Sequence, residues 1–275
     1  MNNVPKFYTH RAALGYGGFV TPKSIITKHE EKIYALNRVC PHRAYLIGDV
    51  GTHSDLVCKF HGFAFNPDGS PKNNVCRMGK KELNLGRSGL VFENFNEPRS
   101  TEWVDILESE KNLVYSGSVV GKSKGSWLWM MDIQCDLFHI RKNGIHPSLA
   151  DITDLDQIEM DQGYDWILQT HNRGGFWLFI YPYTFVEWLP GCLSVNYTIP
   201  KNETEFGFDY VTQFFYDPFV STKDRKEFET IDLTFQEDIK AIENQVGPYF
   251  PLMESSSRLE DQCVHFGNWY KEMIK

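Results

Sequence analysis

The sequence has few cysteines, no dense basic segment and no long apolar run, and each absence excludes a class of protein. Six cysteines in 275 residues are too few and too scattered for the disulfide framework of a small secreted domain. The most apolar stretch, 176–199, is interrupted by Pro182, Glu187 and Pro190, so it falls short of the roughly 20 apolar residues of a membrane helix. We therefore expect no membrane-spanning segment.

The charge balance and the first residues of the sequence bear on the partners and the cellular compartment of the protein. The 28 basic and 36 acidic residues give a net charge of −8, and no cluster of Lys and Arg could follow a phosphate backbone. We therefore expect no nucleic acid as a partner. The chain starts without the basic and apolar regions of a signal peptide, so we expect a cytoplasmic protein with reduced thiols. We then expect each cysteine to bind a metal, to act in catalysis or to pack in the core.

The pattern of turn residues and apolar residues predicts an α+β protein of two domains. Short strand-like segments such as 33–36, 55–58 and 89–92 indicate a small antiparallel β-domain. We place the domain boundary near 96–101, which gives a first domain at 1–100 and a second at 101–275. For the second domain we expect an antiparallel sheet over about 165–215, flanked by helices over about 127–142, 222–245 and 259–274, and Ser126 is the N-cap candidate of the first helix.

Two Cys and two His are interleaved in the first domain. Cys40-Pro-His42 is followed, after fifteen residues, by Cys58-Lys-Phe-His61-Gly. Thiolate and imidazole are ligands for iron or zinc, but zinc sites more often group Cys with Cys and His with His. One Cys and one His from each segment are typical of a Rieske [2Fe–2S] cluster, in which two Cys hold one iron and two His the other. The alternatives are a buried thiol, a surface histidine or a structural zinc site.

Both segments resemble the two loops of the Rieske domain of non-haem iron oxygenases. The resemblance is carried by Cys-Pro-His-Arg and by Cys-Lys-Phe-His-Gly-Phe-Ala-Phe-Asn-x-x-Gly. It implies that Cys40 and Cys58 bind one iron and that His42 and His61 bind the other. It also implies an all-β Rieske domain followed by a catalytic domain with a mononuclear Fe(II) site.

A second group of candidate ligands lies in the catalytic domain. We expect Asp136 and His139, three residues apart, to share a helix face, and Asn143-Gly144 with Pro147 to end the helix near Lys142 and fold the chain back. That turn would bring His146 toward His139. By the family resemblance both histidines bind iron, and Asp136 is the candidate catalytic residue that orients His139. The family's ring-dihydroxylating members often carry Asn at the position of Asp132.

A carboxylate would complete a facial triad for ferrous iron. Asp238 falls about 60° from Phe235 on a helical wheel, at the edge of an apolar stripe, whereas Glu237 falls about 200° away, toward water. Periodicity alone favours a different interpretation, in which Asp238 is a carboxylate at the stripe edge that pairs with a basic group. The pair Glu237-Asp238 resembles the ligand segment of the oxygenase family, which favours Asp238 as the third ligand. The stripe is formed by Phe228, Ile231, Phe235, Ile239, Ile242 and Val246.

The resemblance implies a terminal oxygenase that uses O₂ and electrons from a ferredoxin or flavin reductase to hydroxylate or oxidatively demethylate a small organic substrate. It also implies a homotrimer in which a Rieske histidine, here His61, meets Asp136 of the next chain. The alternative is a Rieske electron-transfer protein whose C-terminal domain binds a ligand or partner without catalytic iron. The aromatic residues of 176–188 could line an apolar pocket, but such a pattern is more often core, and we assign them no role.

Overall fold

The computed structural model describes residues 4–15, 17–150, 153–172, 174–201, 205–220 and 225–273. Over these residues the chain forms two seven-stranded antiparallel sheets, a two-stranded ribbon and several helices. The predicted α+β class, with an N-terminal all-β part, is confirmed. In the part of the chain that the structure describes, none of the helices has the length and apolar content that a membrane crossing requires.

The first sheet is built from strands that lie between Lys6 and Glu93, and its strand order is β1-β9-β8-β4-β3-β2-β5. The hairpin of β3 and β4 buries Ile25 and Leu36 against Phe65, which follows the two-stranded ribbon of β6 and β7. The same core contains Cys40 and Cys58, the first residues of the Cys-x-His and Cys-x₂-His segments. The strands of the sheet and the ribbon are β1 (Lys6–His10), β2 (Gly18–Val20), β3 (Ser24–His29), β4 (Lys32–Asn37), β5 (His53–Ser54), β6 (Val57–Cys58), β7 (Phe63–Ala64), β8 (Lys80–Leu85) and β9 (Leu90–Glu93).

The second sheet has the order β10-β16-β15-β14-β13-β12-β11, and the strands from β11 to β16 are joined as consecutive hairpins. Its aromatic and β-branched residues suit a sheet that is covered on both faces. The predicted antiparallel sheet over 165–215 is confirmed, with β10 added as an edge strand. The strands are β10 (Val114–Ser126), β11 (Glu159–Gln162), β12 (Trp166–His171), β13 (Gly175–Ile180), β14 (Thr184–Leu189), β15 (Cys192–Pro200) and β16 (Phe206–Tyr216).

Alternating residues of this second sheet serve two different cores, because successive side chains of a strand point to opposite faces. Leu178 and Phe176 of β13 join a cluster with Phe19 of the first sheet and Trp103, whereas Phe179 packs against the helices. The helices are α1 (Glu102–Ser109), α2 (Trp127–Cys135), α3 (Pro147–Ala150), α4 (Arg225–Glu243) and α5 (Asp261–Met273).

Trp103 of α1 lies in the core that the two sheets share, and its replacement tests how much this core contributes to stability. It is fully buried, and its ring packs edge-on against Trp166, with centroids 6.2 Å apart. Trp103→Ala is expected to cost about 3–5 kcal/mol of stability, because it removes a large buried aromatic and leaves a cavity. Thermal unfolding should show a clearly lowered midpoint. Val246→Ala, at a side chain that is 100% exposed, is the control and should leave the midpoint unchanged.

Several predicted boundaries are wrong in the first half of the chain. The strand expected over 55–58 is limited to Val57–Cys58, because Leu56 has a φ of +58° and cannot continue it. The helix that begins after Ser126 ends at Cys135, seven residues before the expected Lys142. Ser126 does act as its N-cap, because the hydroxyl accepts hydrogen bonds from the backbone N–H groups of Leu128 and Trp129.

The late helices also differ from expectation at their ends. Helix α4 ends at Glu243, so Val246 lies beyond it in solvent and is not part of the apolar stripe. Ile231, Phe235, Ile239 and Ile242 are buried as predicted. The start expected near residue 222, the Phe228 side chain and Ile274 lie outside the described residues. The C-terminal helix proper begins at Asp261, after a 3₁₀ turn at Arg258–Glu260.

Candidate functional site

The four Rieske-type side chains converge at one end of the first sheet. Cys40 and Cys58 are 2% and 1% exposed, whereas His42 and His61 are exposed and bring their Nδ1 atoms to 3.2 Å from each other. Burial raises the pKa of the Cys40 thiol, and the neighbouring Cys58 adds to that effect. The sulfurs thus lie inside and the imidazoles at the surface.

Tight turns hold these segments. The N–H of Ala44, which has a φ of +53°, donates to the Cys40 carbonyl, and the N–H of Gly62, with a φ of +72°, donates to the Cys58 carbonyl. The His42 ring stacks on Phe63, with centroids 4.7 Å apart. Two buried thiols and two converging imidazole nitrogens are a donor set that fits a Rieske [2Fe–2S] cluster.

The candidate mononuclear site lies between α4 and the turn that follows α2. His139, His146 and Asp238 offer ligand atoms that all lie within 4.8 Å of one another. Asp238 Oδ1 is 3.9 Å from His139 Nε2 and 2.8 Å from His146 Nε2. Two atoms that each lie about 2 Å from one ion are at most about 4 Å apart, and both distances meet that limit. Two imidazoles and one carboxylate are the donor set of non-haem ferrous sites.

The predicted shared helix face of Asp136 and His139 is wrong. Asp136 ends α2 in an extended conformation, with φ −85° and ψ 120°, and its Oδ1 accepts from the Phe138 N–H at 2.7 Å. This local hydrogen bond competes with continuation of the helix. His139 lies instead in the 3₁₀ turn Phe138–Ile140. The fold-back itself is present, because the Ile145 N–H donates to the His139 carbonyl at 3.0 Å.

Gly144 makes that fold-back possible. A Cβ at this position would lie 2.0 Å from the His139 carbonyl oxygen, which is a backbone atom with little freedom to move. Gly144→Ala should therefore push His139 and His146 apart and lower mononuclear iron while leaving the Rieske cluster in place. The iron-to-sulfide ratio of the purified variant measures this effect. Gly15→Ala, where nothing lies within 4 Å of an added Cβ, is the matched control. Normal iron in Gly144→Ala would refute the steric argument.

Two carboxylates of α4 contact His146. Asp238, predicted at the margin of the apolar stripe, is buried, and its Oδ1 lies 2.8 Å from His146 Nε2. Glu237, predicted to point to water, is only part-exposed, and its Oε2 lies 2.7 Å from His146 Nδ1. The prediction for Glu237 is wrong because His146 packs against the flank of α4 and lies between the two neighbouring carboxylates.

The electrostatic surroundings of the two histidines differ. Burial lowers the pKa of His139, and Asp238 only partly opposes that shift. Burial also lowers the pKa of His146, but the hydrogen bonds and charges of Asp238 and Glu237 outweigh it and raise that pKa overall. His139 Nδ1 is buried and has no hydrogen-bond partner among the described residues.

Gln134 is a contact of this site that the sequence analysis missed. Its Nε2 donates to Asp238 Oδ2 at 2.9 Å, and both side chains are buried. The interaction leaves Oδ1 of Asp238 facing the two histidines. The available signal was an amide in a mostly apolar helix whose other polar residue is Asp132, because a buried polar side chain needs a partner.

A cavity beside the three candidate ligands is walled by one face of the second sheet. Antiparallel register aligns Gln169, Trp177, Glu187 and Ser194 in one row across four strands. A second row contains Phe185, Asn196 and Thr212. The sequence analysis assigned no role to the aromatic segment; Trp177 and Phe185 line the cavity. The wall therefore offers indole and phenyl surface together with amide, hydroxyl and carboxylate groups.

Residues 14–82 match the family model of the Rieske [2Fe-2S] domain. This range contains both the Cys-x-His segment at 40–42 and the Cys-x₂-His segment at 58–61, and the N-terminal part of the chain is a Rieske domain. The resemblance on which the sequence analysis relied is thus confirmed for this part. No curated protein matches the chain in a sequence comparison.

The fold of nearly the whole chain is similar to that of solved Rieske monooxygenases. The structure of the quaternary ammonium Rieske monooxygenase CntA with L-carnitine matches with a TM-score of 0.72 at 18% identity, over 99% of this chain and 88% of that one. NdmA of Pseudomonas putida CBB5 matches with a TM-score of 0.58 at 15% identity, over 98% and 90% of the two chains. These identities establish a shared fold, which extends the confirmed resemblance beyond the Rieske domain at the level of architecture.

Proposed function

We propose that this chain is the terminal component of a Rieske non-haem iron oxygenase, an oxidoreductase that hydroxylates or oxidatively demethylates a small organic substrate. One observation carries the proposal: a Rieske domain shares the chain with a separate, buried His139–His146–Asp238 cluster that opens on a cavity. A plain electron carrier needs the first feature but has no use for the second. The proposed domain division stays at 1–100 and 101–275.

In this proposal Cys40, Cys58, His42 and His61 hold the [2Fe–2S] cluster, and His139, His146 and Asp238 hold ferrous iron. When bound, the two groups supply electron storage and a place where dioxygen is reduced next to the substrate. The sheet rows of Trp177 and Phe185 present a rigid apolar wall, and Gln169 and Asn196 present hydrogen-bonding groups that can orient a ligand. Electrons would come from a ferredoxin or flavin reductase in the cytoplasm.

Electron delivery to the catalytic site is proposed to occur between chains of a homotrimer. The imidazoles of His42 and His61 are exposed, so a second copy can approach them. Asp136 is part-exposed and lies three residues before His139. We propose that Asp136 of one copy receives the exposed His61 of another and holds His139. Burial raises the pKa of Asp136, and the Phe138 N–H and the charges of His139 and Arg141 only partly oppose that shift.

Metal analysis of anaerobically purified protein tests the proposal. The oxygenase should contain about three irons and two acid-labile sulfides per chain. An electron carrier whose C-terminal domain lacks catalytic iron should contain about two of each, and a structural zinc protein should contain no sulfide. Either of the latter results would refute the oxygenase.

Substrate class is tested next by substrate-dependent oxygen uptake with a surrogate reductase. The neighbouring structures contain L-carnitine in CntA and caffeine in NdmA. The panel should therefore include carnitine, γ-butyrobetaine, caffeine and theobromine beside simple aromatics and methyl ethers. Oxygen uptake coupled to loss of one panel compound supports the function, and the product identifies hydroxylation or demethylation.

A further inference from the structure

The two candidate histidine ligands have different partners on the ring edge that faces away from Asp238. His146 Nδ1 lies 2.7 Å from Glu237 Oε2, whereas the buried His139 Nδ1 has no hydrogen-bond partner in the described part of the chain. Helix α4 thus supplies one carboxylate to each edge of the His146 ring, from two consecutive residues.

We propose that Glu237 is a positioning residue of the mononuclear site, which accepts the Nδ1–H of His146 and so commits the Nε2 lone pair to the metal. The inference rests on the proposed function, because it concerns the ion that His139, His146 and Asp238 would hold. It assigns Glu237 a role that Asp238 cannot fulfil, since Asp238 Oδ1 faces the opposite, Nε2 edge of the ring.

The hydrogen bond determines which nitrogen is available. A neutral imidazole has one N–H and one lone pair, and the partner of one nitrogen decides the state of the other. Nδ1 lies 2.7 Å from Glu237 Oε2 and Nε2 lies 2.8 Å from Asp238 Oδ1, so each nitrogen faces a carboxylate. With a metal held between Nε2 and Asp238, the single ring proton belongs on Nδ1, where Glu237 accepts it, and Nε2 keeps its lone pair. Ligand histidines in general donate their second N–H to a carboxylate or carbonyl, which fixes the ring and increases its basicity.

The local packing allows Glu237 to do this with little movement. Helix α4 is anchored by buried Phe235 and Ile239, one on each side of the pair Glu237-Asp238. The His146 side chain is 2% exposed, and its ring packs against His139 with centroids 5.0 Å apart. Glu237 is 28% exposed, so its carboxylate keeps part of its hydration while it holds the buried ring.

The experiment measures Fe(II) binding to the full chain with its cluster intact. The mononuclear metal is removed by a chelator under argon, and Fe(II) is added back in an anaerobic calorimetric titration. We expect Glu237→Ala to weaken Fe(II) binding about 10- to 100-fold, the usual cost of losing such a partner. Glu237→Gln keeps an oxygen that can accept the Nδ1–H and should bind Fe(II) within about threefold of wild type. Cluster absorbance in each variant verifies the fold.

Glu229→Ala is the matched control, because it removes an equal charge from an exposed position of the same helix. It should leave Fe(II) affinity unchanged. Unchanged affinity in Glu237→Ala would overturn the inference, as would a Glu237→Gln variant that is as weak as Glu237→Ala, since charge and not hydrogen bonding would then matter. If wild-type protein binds no Fe(II) beyond its cluster, the proposed function itself fails, which distinguishes the two failures.

Discussion

Asp238→Ala is expected to lower the iron content from about three to about two per chain and to abolish substrate-dependent oxygen uptake, while sulfide stays at about two. Asp238 is the anionic member of the triad, and its Oδ1 lies nearest to both histidine Nε2 atoms. Without Asp238, only two neutral imidazoles of the triad remain as ligands, and neither carries a charge that balances the divalent cation. Iron and sulfide analysis, together with oxygen uptake, measures the effect.

Asp238→Ala also removes two buried contacts of the carboxylate. The effect of losing these contacts must be distinguished from the effect of losing the metal ligand. Gln134 Nε2 loses its acceptor, at about 1–3 kcal/mol for a buried group left unsatisfied, and His146 Nε2 loses the contact with Oδ1. Asp238→Asn preserves the volume and one carbonyl oxygen but lacks the charge, so it should fold better and still lose the iron. Glu229→Ala should keep all three irons. An Asp238→Asn protein with full iron and full activity would exclude Asp238 as the ligand.

The sequence predicted best those features that depend on local chemistry. The antiparallel sheets were predictable because aromatic and β-branched segments alternate with turn residues, and Ser126 was predictable as an N-cap because of its position before an apolar segment. The Cys-x-His and Cys-x₂-His segments identified the Rieske domain because each type of side chain has a defined metal chemistry. Residue type and local spacing together sufficed for these features.

The sequence could not predict features that depend on contacts between distant segments. Helical periodicity assigns Glu237 to solvent, because it describes α4 without the turn that brings His146 against its flank. The same limitation applies to Asp136, where one side-chain hydrogen bond to Phe138 ends the helix early. The rows of cavity residues follow from strand register, which one-dimensional patterns do not specify.

Asp136→Asn should leave both metal centres loaded and yet lower turnover by about 100-fold or more, at the upper end of what loss of a carboxylate beside a ligand histidine costs. Asparagine retains an Oδ1 that can accept the Phe138 N–H, so the turn before His139 should persist. Asparagine lacks the negative charge that, in the proposed relay, binds His61 of the second copy. In a single-turnover experiment, the chemically reduced cluster of the variant should stay reduced when substrate and oxygen are added, whereas that of wild type reoxidises.

Asp132→Asn is the matched comparison for Asp136→Asn, because Asp132 is another carboxyl group of helix α2, four residues earlier. Burial raises the pKa of Asp132 to about 7, and its Oδ1 accepts a hydrogen bond from the Tyr249 hydroxyl, a contact that asparagine can retain. Because asparagine keeps the size of the side chain and the acceptor for the Tyr249 hydroxyl, this variant should keep its turnover. Full turnover in Asp136→Asn would eliminate the relay, and equal losses in both variants would indicate that the change acts on the packing of α2 and not on electron delivery.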